Sequence, residues 1–98
     1  MLHLVNKSPF ERGALESCLK MARKGSVVLL IEDGVYAALK NTRFTGKVSA
    51  AAKEVRICVL GPDLAARGVD QVIDGVEVVD YGGFVDLTVE HSPVQSWL

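Results

Sequence analysis

Two continuously apolar, β-branched runs constrain this chain most: Val27-Val28-Leu29-Leu30-Ile31, opened by Ser26, and Val55-Arg56-Ile57-Cys58-Val59-Leu60. A strand with one wetted face alternates apolar and polar residues, whereas a run apolar at nearly every position must be covered on both sides. Such strands belong to parallel sheets flanked by helices. Two shorter runs, Leu2 to Val5 and Val76 to Val79, supply further strands, and helical patterns separate all four. The alternation predicts a three-layer α/β/α sandwich around a mainly parallel sheet of four to five strands, joined by right-handed crossovers. At 98 residues the chain fits a single domain, 1–98.

The punctuation between the runs places the helices. Ser8-Pro9-Phe10-Glu11 has the form of a capping box, with proline at the first helical position, and predicts a helix from Ser8 to about Lys24 that stops at Gly25. Glu32-Asp33-Gly34 leads into a short helix over Val35 to Lys40. Asn41 to Lys53 reads as a loop with a further short helix. Gly61-Pro62-Asp63 opens a short helix that closes at Gly68, and Asp80 caps one from about Gly82 to His91, ended by Ser92-Pro93. Val94 to Leu98 is left as a tail.

Composition narrows the function. A chain of this size buries only roughly 60–65% of its unfolded surface, yet 49% of its residues are hydrophobic. That excess predicts an apolar exterior and therefore a partner. Eleven basic against 12 acidic residues give a net charge of −1, which offers nothing to a phosphate backbone and argues against direct nucleic-acid binding. No apolar stretch reaches membrane-spanning length, and Met1 to Lys7 lacks signal-peptide order, so a cytoplasmic protein with no membrane association is expected. Its two cysteines, Cys18 and Cys58, are then reduced thiols.

Four loops meet at the carboxyl ends of the expected strands, where α/β sheets place their chemistry. Acidic residues occupy three of them, and neither glycine-rich phosphate motif occurs, so no cofactor is expected. Glu32 and Asp33 resemble a Mg²⁺ pair, but acidic residues at a strand end more commonly cap and solvate, and no metal site is assigned. Cys18 sits at the centre of its helix's apolar stripe, with Ala14, Leu15, Met21 and Ala22 within about 60° of it and Arg12, Glu16, Lys20 and Arg23 opposite. It lies beyond the first helical turn, without a neighbouring cation to lower its pKa. The pattern favours a core thiol; the alternative is that the stripe faces a partner subunit rather than its own sheet. Cys58, inside a doubly covered strand, reads as core. His3 and His91 read as structural. Tyr81, Phe84 and Trp97 are the interface candidates; Trp97 either docks on its own domain or anchors a partner.

The blocks Leu2-His3 with Val5-Asn6-Lys7-Ser8-Pro9-Phe10, Ile31 to Ala38, Val59-Leu60-Gly61-Pro62-Asp63-Leu64-Ala65-Ala66-Arg67-Gly68, Val79-Asp80-Tyr81-Gly82-Gly83-Phe84-Val85-Asp86-Leu87-Thr88 and Gln95-Ser96-Trp97-Leu98 closely resemble the DsrH/TusB family over nearly the whole chain. The resemblance implies a DsrE-like sandwich within a heterohexamer, with DsrE/TusD-like and DsrF/TusC-like subunits as partners. Such complexes pass sulfur as a cysteine persulfide towards a small downstream carrier, in DsrEFH-type sulfur oxidation or TusBCD-type thiolation of the tRNA wobble uridine. The family's principal carrier cysteine belongs to the DsrE/TusD subunit, at the turn matched here by the thiol-free Gly61-Pro62-Asp63. An accessory subunit without its own main active site is implied. Cys18 matches a cysteine typical of the sulfur-oxidising branch, which makes it the candidate accessory persulfide site. The alternatives are an autonomous sulfurtransferase using Cys18 and a small-molecule-binding α/β domain.

Overall fold

The computed structural model describes residues 1–97. Five parallel strands, β1 (Leu2–Val5), β2 (Val27–Leu30), β3 (Arg56–Leu60), β4 (Glu77–Val79) and β5 (Val94–Trp97), form one sheet in the order β4-β3-β2-β1-β5. The expected sandwich is present, and the segment from Val94, expected as a tail, adds the fifth strand in register with β1, Leu2 opposite Val94 and Val5 opposite Trp97.

The two sheet faces are covered unequally. On one, Val5, Val28, Leu30, Ile57 and Val59 pack against α1 (Ala14–Met21), a 3₁₀ segment (Glu32–Ala38), α2 (Thr45–Ala51) and α3 (Gly61–Ala66). On the other, Leu2, Val27, Leu29 and Cys58 meet only α4 (Tyr81–Glu90), through buried Leu87 and half-buried Phe84. Since β1 to β4 advance across the sheet in one direction and β5 returns to the far side of β1, right-handed crossovers put the earlier helices on one face and α4 on the other.

Local chemistry moves several boundaries from their expected places. The Ser8 capping box does not form: the Ser8 hydroxyl accepts from the nearer Phe10 N–H at 3.2 Å, while Glu11 and Arg12 donate to the Ser8 carbonyl. The segment closes as a turn, as serine hydroxyls often favour, and α1 starts only at Ala14. At its other end α1 stops at Met21, where Ala22 turns extended, and Gly25 (φ 93°) makes the reversal into β2. The expected helix over Val35–Lys40 is instead the 3₁₀ segment. In the Asn41–Lys53 stretch, α2 is anchored by the Thr45 hydroxyl, which accepts from Thr42 N–H and donates to the Leu39 carbonyl. Asp80 caps α4 as expected, accepting from Gly83 N–H at 2.8 Å.

Gly34 lies where the 3₁₀ segment presses on the end of β1. A Cβ there would collide with the Val5 carbonyl oxygen, which is backbone and cannot move aside cheaply. Gly34→Ala should therefore destabilise the protein by about 3 kcal/mol in urea denaturation, at the upper end for overpacking. Gly46, inside α2 with open space around it, is the control: Gly46→Ala should stabilise by about 0.5–1 kcal/mol through helix propensity.

Candidate functional site

The carboxyl edge of the sheet is occupied by a clamp. Glu32 leaves β2 with φ 49°, a left-handed conformation that non-glycine residues adopt at a cost. Its N–H is held by the Asp63 carboxylate at 2.7 Å, and the neighbouring Asp33 carboxylate accepts from Arg67 Nε at 2.9 Å. Arg67 also donates to the Asp63 carbonyl, so the turn after β2 is fastened to both ends of α3. Glu32 and Asp33, weighed in the sequence as a cation pair, are thus tied to a helix one strand away. Among the described residues no three His, Cys, Asp or Glu side chains converge as metal ligands would.

Between β3 and β4 the connections leave towards opposite faces, α3 to one and α4 to the other, which makes this the switch point where parallel sheets commonly open a ligand crevice. Here glycines draw the backbone in. A Cβ on Gly61 would meet Val78 Cγ1 at 3.1 Å, and one on Gly83 would meet Val79 Cβ at 3.0 Å.

Cys18 and Cys58 are both completely buried. Cys18 lies under α1 among Leu15, Val5 and Val28, and burial pushes its thiol up to about 12. Cys58 sits on the opposite face of the sheet. Burial, aided by the nearby Glu77 carboxylate, pushes its thiol up to about 11. Glu77 itself is held below the usual carboxylate range by Arg56, which grips it through Nε at 2.6 Å and Nη2 at 3.1 Å. A persulfide needs a thiolate that can reach a donor. Neither thiol has the ionisation or the access in this structure.

The three aromatic candidates separate. Tyr81 is 61% exposed at the start of α4. Phe84 is half-buried against the cluster under α4. Trp97 is half-buried and donates from Nε1 to His3 Nδ1 at 3.0 Å, their rings 6.0 Å apart. Periodicity alone would have found a further feature: Tyr81, Val85 and Val89 recur at i, i+4 and i+8, and Val85 and Val89 are 59% and 75% exposed. This apolar stripe faces away from the sheet along α4. Across the molecule, Arg43 stacks over Phe10 and Phe44 at 5.5 and 5.0 Å, beside an open hollow of about 440 Å³. No helix among the described residues is long and apolar enough to cross a membrane.

A five-stranded, all-parallel sheet flanked by helices in this order is a DsrEFH-like α/β fold. The family model for DsrH-like proteins matches residues 7–94, and the chain belongs to that family. It is 38% identical to Protein TusB of Pectobacterium parmentieri and 37% identical to Protein TusB of Buchnera aphidicola, in each case over 99% of this chain and 100% of the relative. The crystal structure of the ychN protein from E. coli superposes with a TM-score of 0.83 over 98% of this chain and 97% of that one, at 18% identity. A protein of unknown function, MTH1491 from Methanobacterium thermoautotrophicum, gives 0.74 over 97% and 95%, at 22%. Both share the fold. The DsrH and TusB names are those of sulfur-relay complex subunits.

The raised thiols make two measurements decisive. At pH 8 neither cysteine should react with a thiol-specific reagent in the folded protein, and both should react in denaturant. Both groups bind their proton more tightly folded than unfolded, so their contribution to stability is present below the ordinary thiol value of 9.0 and is lost as pH rises towards 11–12. Denaturation monitored from pH 8 to 11 should show stability falling above about pH 9 by up to about 1.4 kcal/mol per pH unit per thiol.

Proposed function

We propose that this chain is the accessory, non-donor subunit of a hetero-oligomeric sulfur-relay complex, assembled with DsrE/TusD-like and DsrF/TusC-like subunits. The observation that carries the proposal is the burial of both thiols, Cys18 and Cys58. The turn Gly61-Pro62-Asp63, matched in the donor subunit by a cysteine-bearing segment, is here committed to holding Glu32. The sulfur therefore travels on a sister subunit, and this chain shapes and stabilises the assembly around it. Cys18 serves as a core thiol in this role.

The sister subunits dock on α4. Tyr81, Val85 and Val89 present a continuous apolar stripe, and burying such side chains stabilises association by roughly 1.5–3 kcal/mol each before the cost of binding is subtracted. Tyr81 supplies the aromatic anchor common at interface centres. Relatives bearing the TusB name support the wobble-uridine branch, in which the complex hands its persulfide sulfur to a small downstream carrier.

Co-expression with the genomic neighbours tests the assembly. The wild-type chain should elute with its sisters on size exclusion. Replacing Val85 and Val89 together by aspartate should weaken the complex at least about 100-fold while leaving the melting temperature of the isolated chain unchanged. A complex that survives those changes intact would remove α4 from the interface. Cys18→Ser should leave transfer of labelled sulfur through the complex at the wild-type rate, and a stalled transfer would restore Cys18 as a carrier. Loss of 2-thiouridine from tRNA on gene deletion is the expected cellular result; intact 2-thiouridine would point to the oxidative branch.

A further inference from the structure

A cavity of about 430 Å³ opens beside the His3–Trp97 pair, between β1, β5 and the end of α1. Its volume lies in the range of small-molecule sites. Its walls divide into two chemistries. Met1, Met21 and Trp97 form an apolar side, while His3, Arg23, Ser26 and Gln95 supply polar atoms.

The polar side is built rather than incidental. His3 is 3% exposed, and its Nδ1 accepts from Trp97 Nε1. A neutral imidazole that accepts at Nδ1 carries its proton on Nε2, so His3 is fixed as a donor at Nε2. That N–H has no hydrogen-bond partner among the described residues. Arg23 stands exposed at the rim and, among the described residues, forms no ion pair. Ser26 is buried and Gln95 lies opposite His3 in the β1–β5 register. Among the described residues no carboxylate lines the cavity. Among the described residues a neutral donor, a guanidinium in no ion pair, a hydroxyl and an amide therefore gather without a carboxylate, next to an apolar wall. Charge-assisted hydrogen bonds to a carboxylate are the strong ones available to such a set.

We propose that this cavity binds a small amphipathic monoanion, an aliphatic chain ending in one carboxylate. The carboxylate meets Arg23 and His3 Nε2–H, and the chain lies against Met1, Met21 and Trp97. The site is separate from the α4 stripe and does not rest on the subunit reading.

Trp97 is the only tryptophan in the chain, so its intrinsic fluorescence reports the cavity without a label. Titration of the full chain with octanoate should shift Trp97 emission along a saturable curve. Octanol, which keeps the chain and loses the charge, should bind about tenfold more weakly, and octylamine more weakly still. Arg23→Gln, at an exposed position, should weaken octanoate about tenfold and leave octanol unchanged. Met21 is 62% exposed, so Met21→Glu should fold normally while setting a like charge against the ligand and abolishing the octanoate signal. Val89→Asp on α4 should bind octanoate as wild type does. The proposal is overturned by an unsaturable or absent Trp97 response, by octylamine binding as tightly as octanoate, or by Arg23→Gln and Met21→Glu proteins that melt like wild type and still bind octanoate with wild-type affinity.

Discussion

Everything in this molecule hangs on β2 and β3 being covered from both sides. Val27 and Leu29 point to one layer and Val28 and Leu30 to the other, all fully buried. Neither layer is optional, because an uncovered face would leave these side chains wet. The layers are nevertheless unequal. Four short elements blanket one face, whereas α4 alone shields the other and commits a single buried residue, Leu87, to the task. That same helix carries an apolar outer surface, with Tyr81, Val85 and Val89 exposed along it.

The carboxyl edge of the sheet shows how the same framework can lose a reactive site and gain rigidity. Its loops are long enough to carry chemistry, yet Asp63, Arg67 and the left-handed Glu32 interlock them, and Gly34, Gly61 and Gly83 allow the backbones to approach until little room remains. Of the two acidic residues nominated as a cation pair, Asp33 is already committed to Arg67, and Glu32 is held through its backbone N–H by Asp63. On the proposed function, such a chain offers geometry to the assembly and keeps its own sulfur atoms out of the exchange.

How much of this was legible depended on whether the deciding interaction was local. The runs Val27–Leu30 and Arg56–Leu60 declared themselves as doubly covered strands, and Asp80 announced the cap of α4, because both signals lie within a few residues. The apolar stripe around Cys18 likewise read directly as a buried face at Ala14 and Leu15, whereas Met21, placed on the same stripe, is 62% exposed. Ser8 misled because its hydroxyl had two local options and took the nearer Phe10 N–H. β5 was read as a tail because an edge strand with Gln95 and Ser96 at its centre lacks an apolar run; only its register with β1 makes it a strand. The Asp33–Arg67 pair and the His3–Trp97 bond join residues 34 and 94 positions apart and leave no trace in any window of sequence.

That β1–β5 register also bears on kinetics. Every other neighbouring pair in the sheet joins strands consecutive along the chain, so β1 to β4 can accrete stepwise through moderate loops. β5 instead closes on β1 across nearly the whole chain, with Leu2 opposite Val94. Contacts of such long range carry the largest loop-closure entropy and slow the search. The hollow beside Trp97 therefore exists only in molecules in which this long-range closure has formed, and occupancy of that hollow would act as a latch on the β1–β5 pairing.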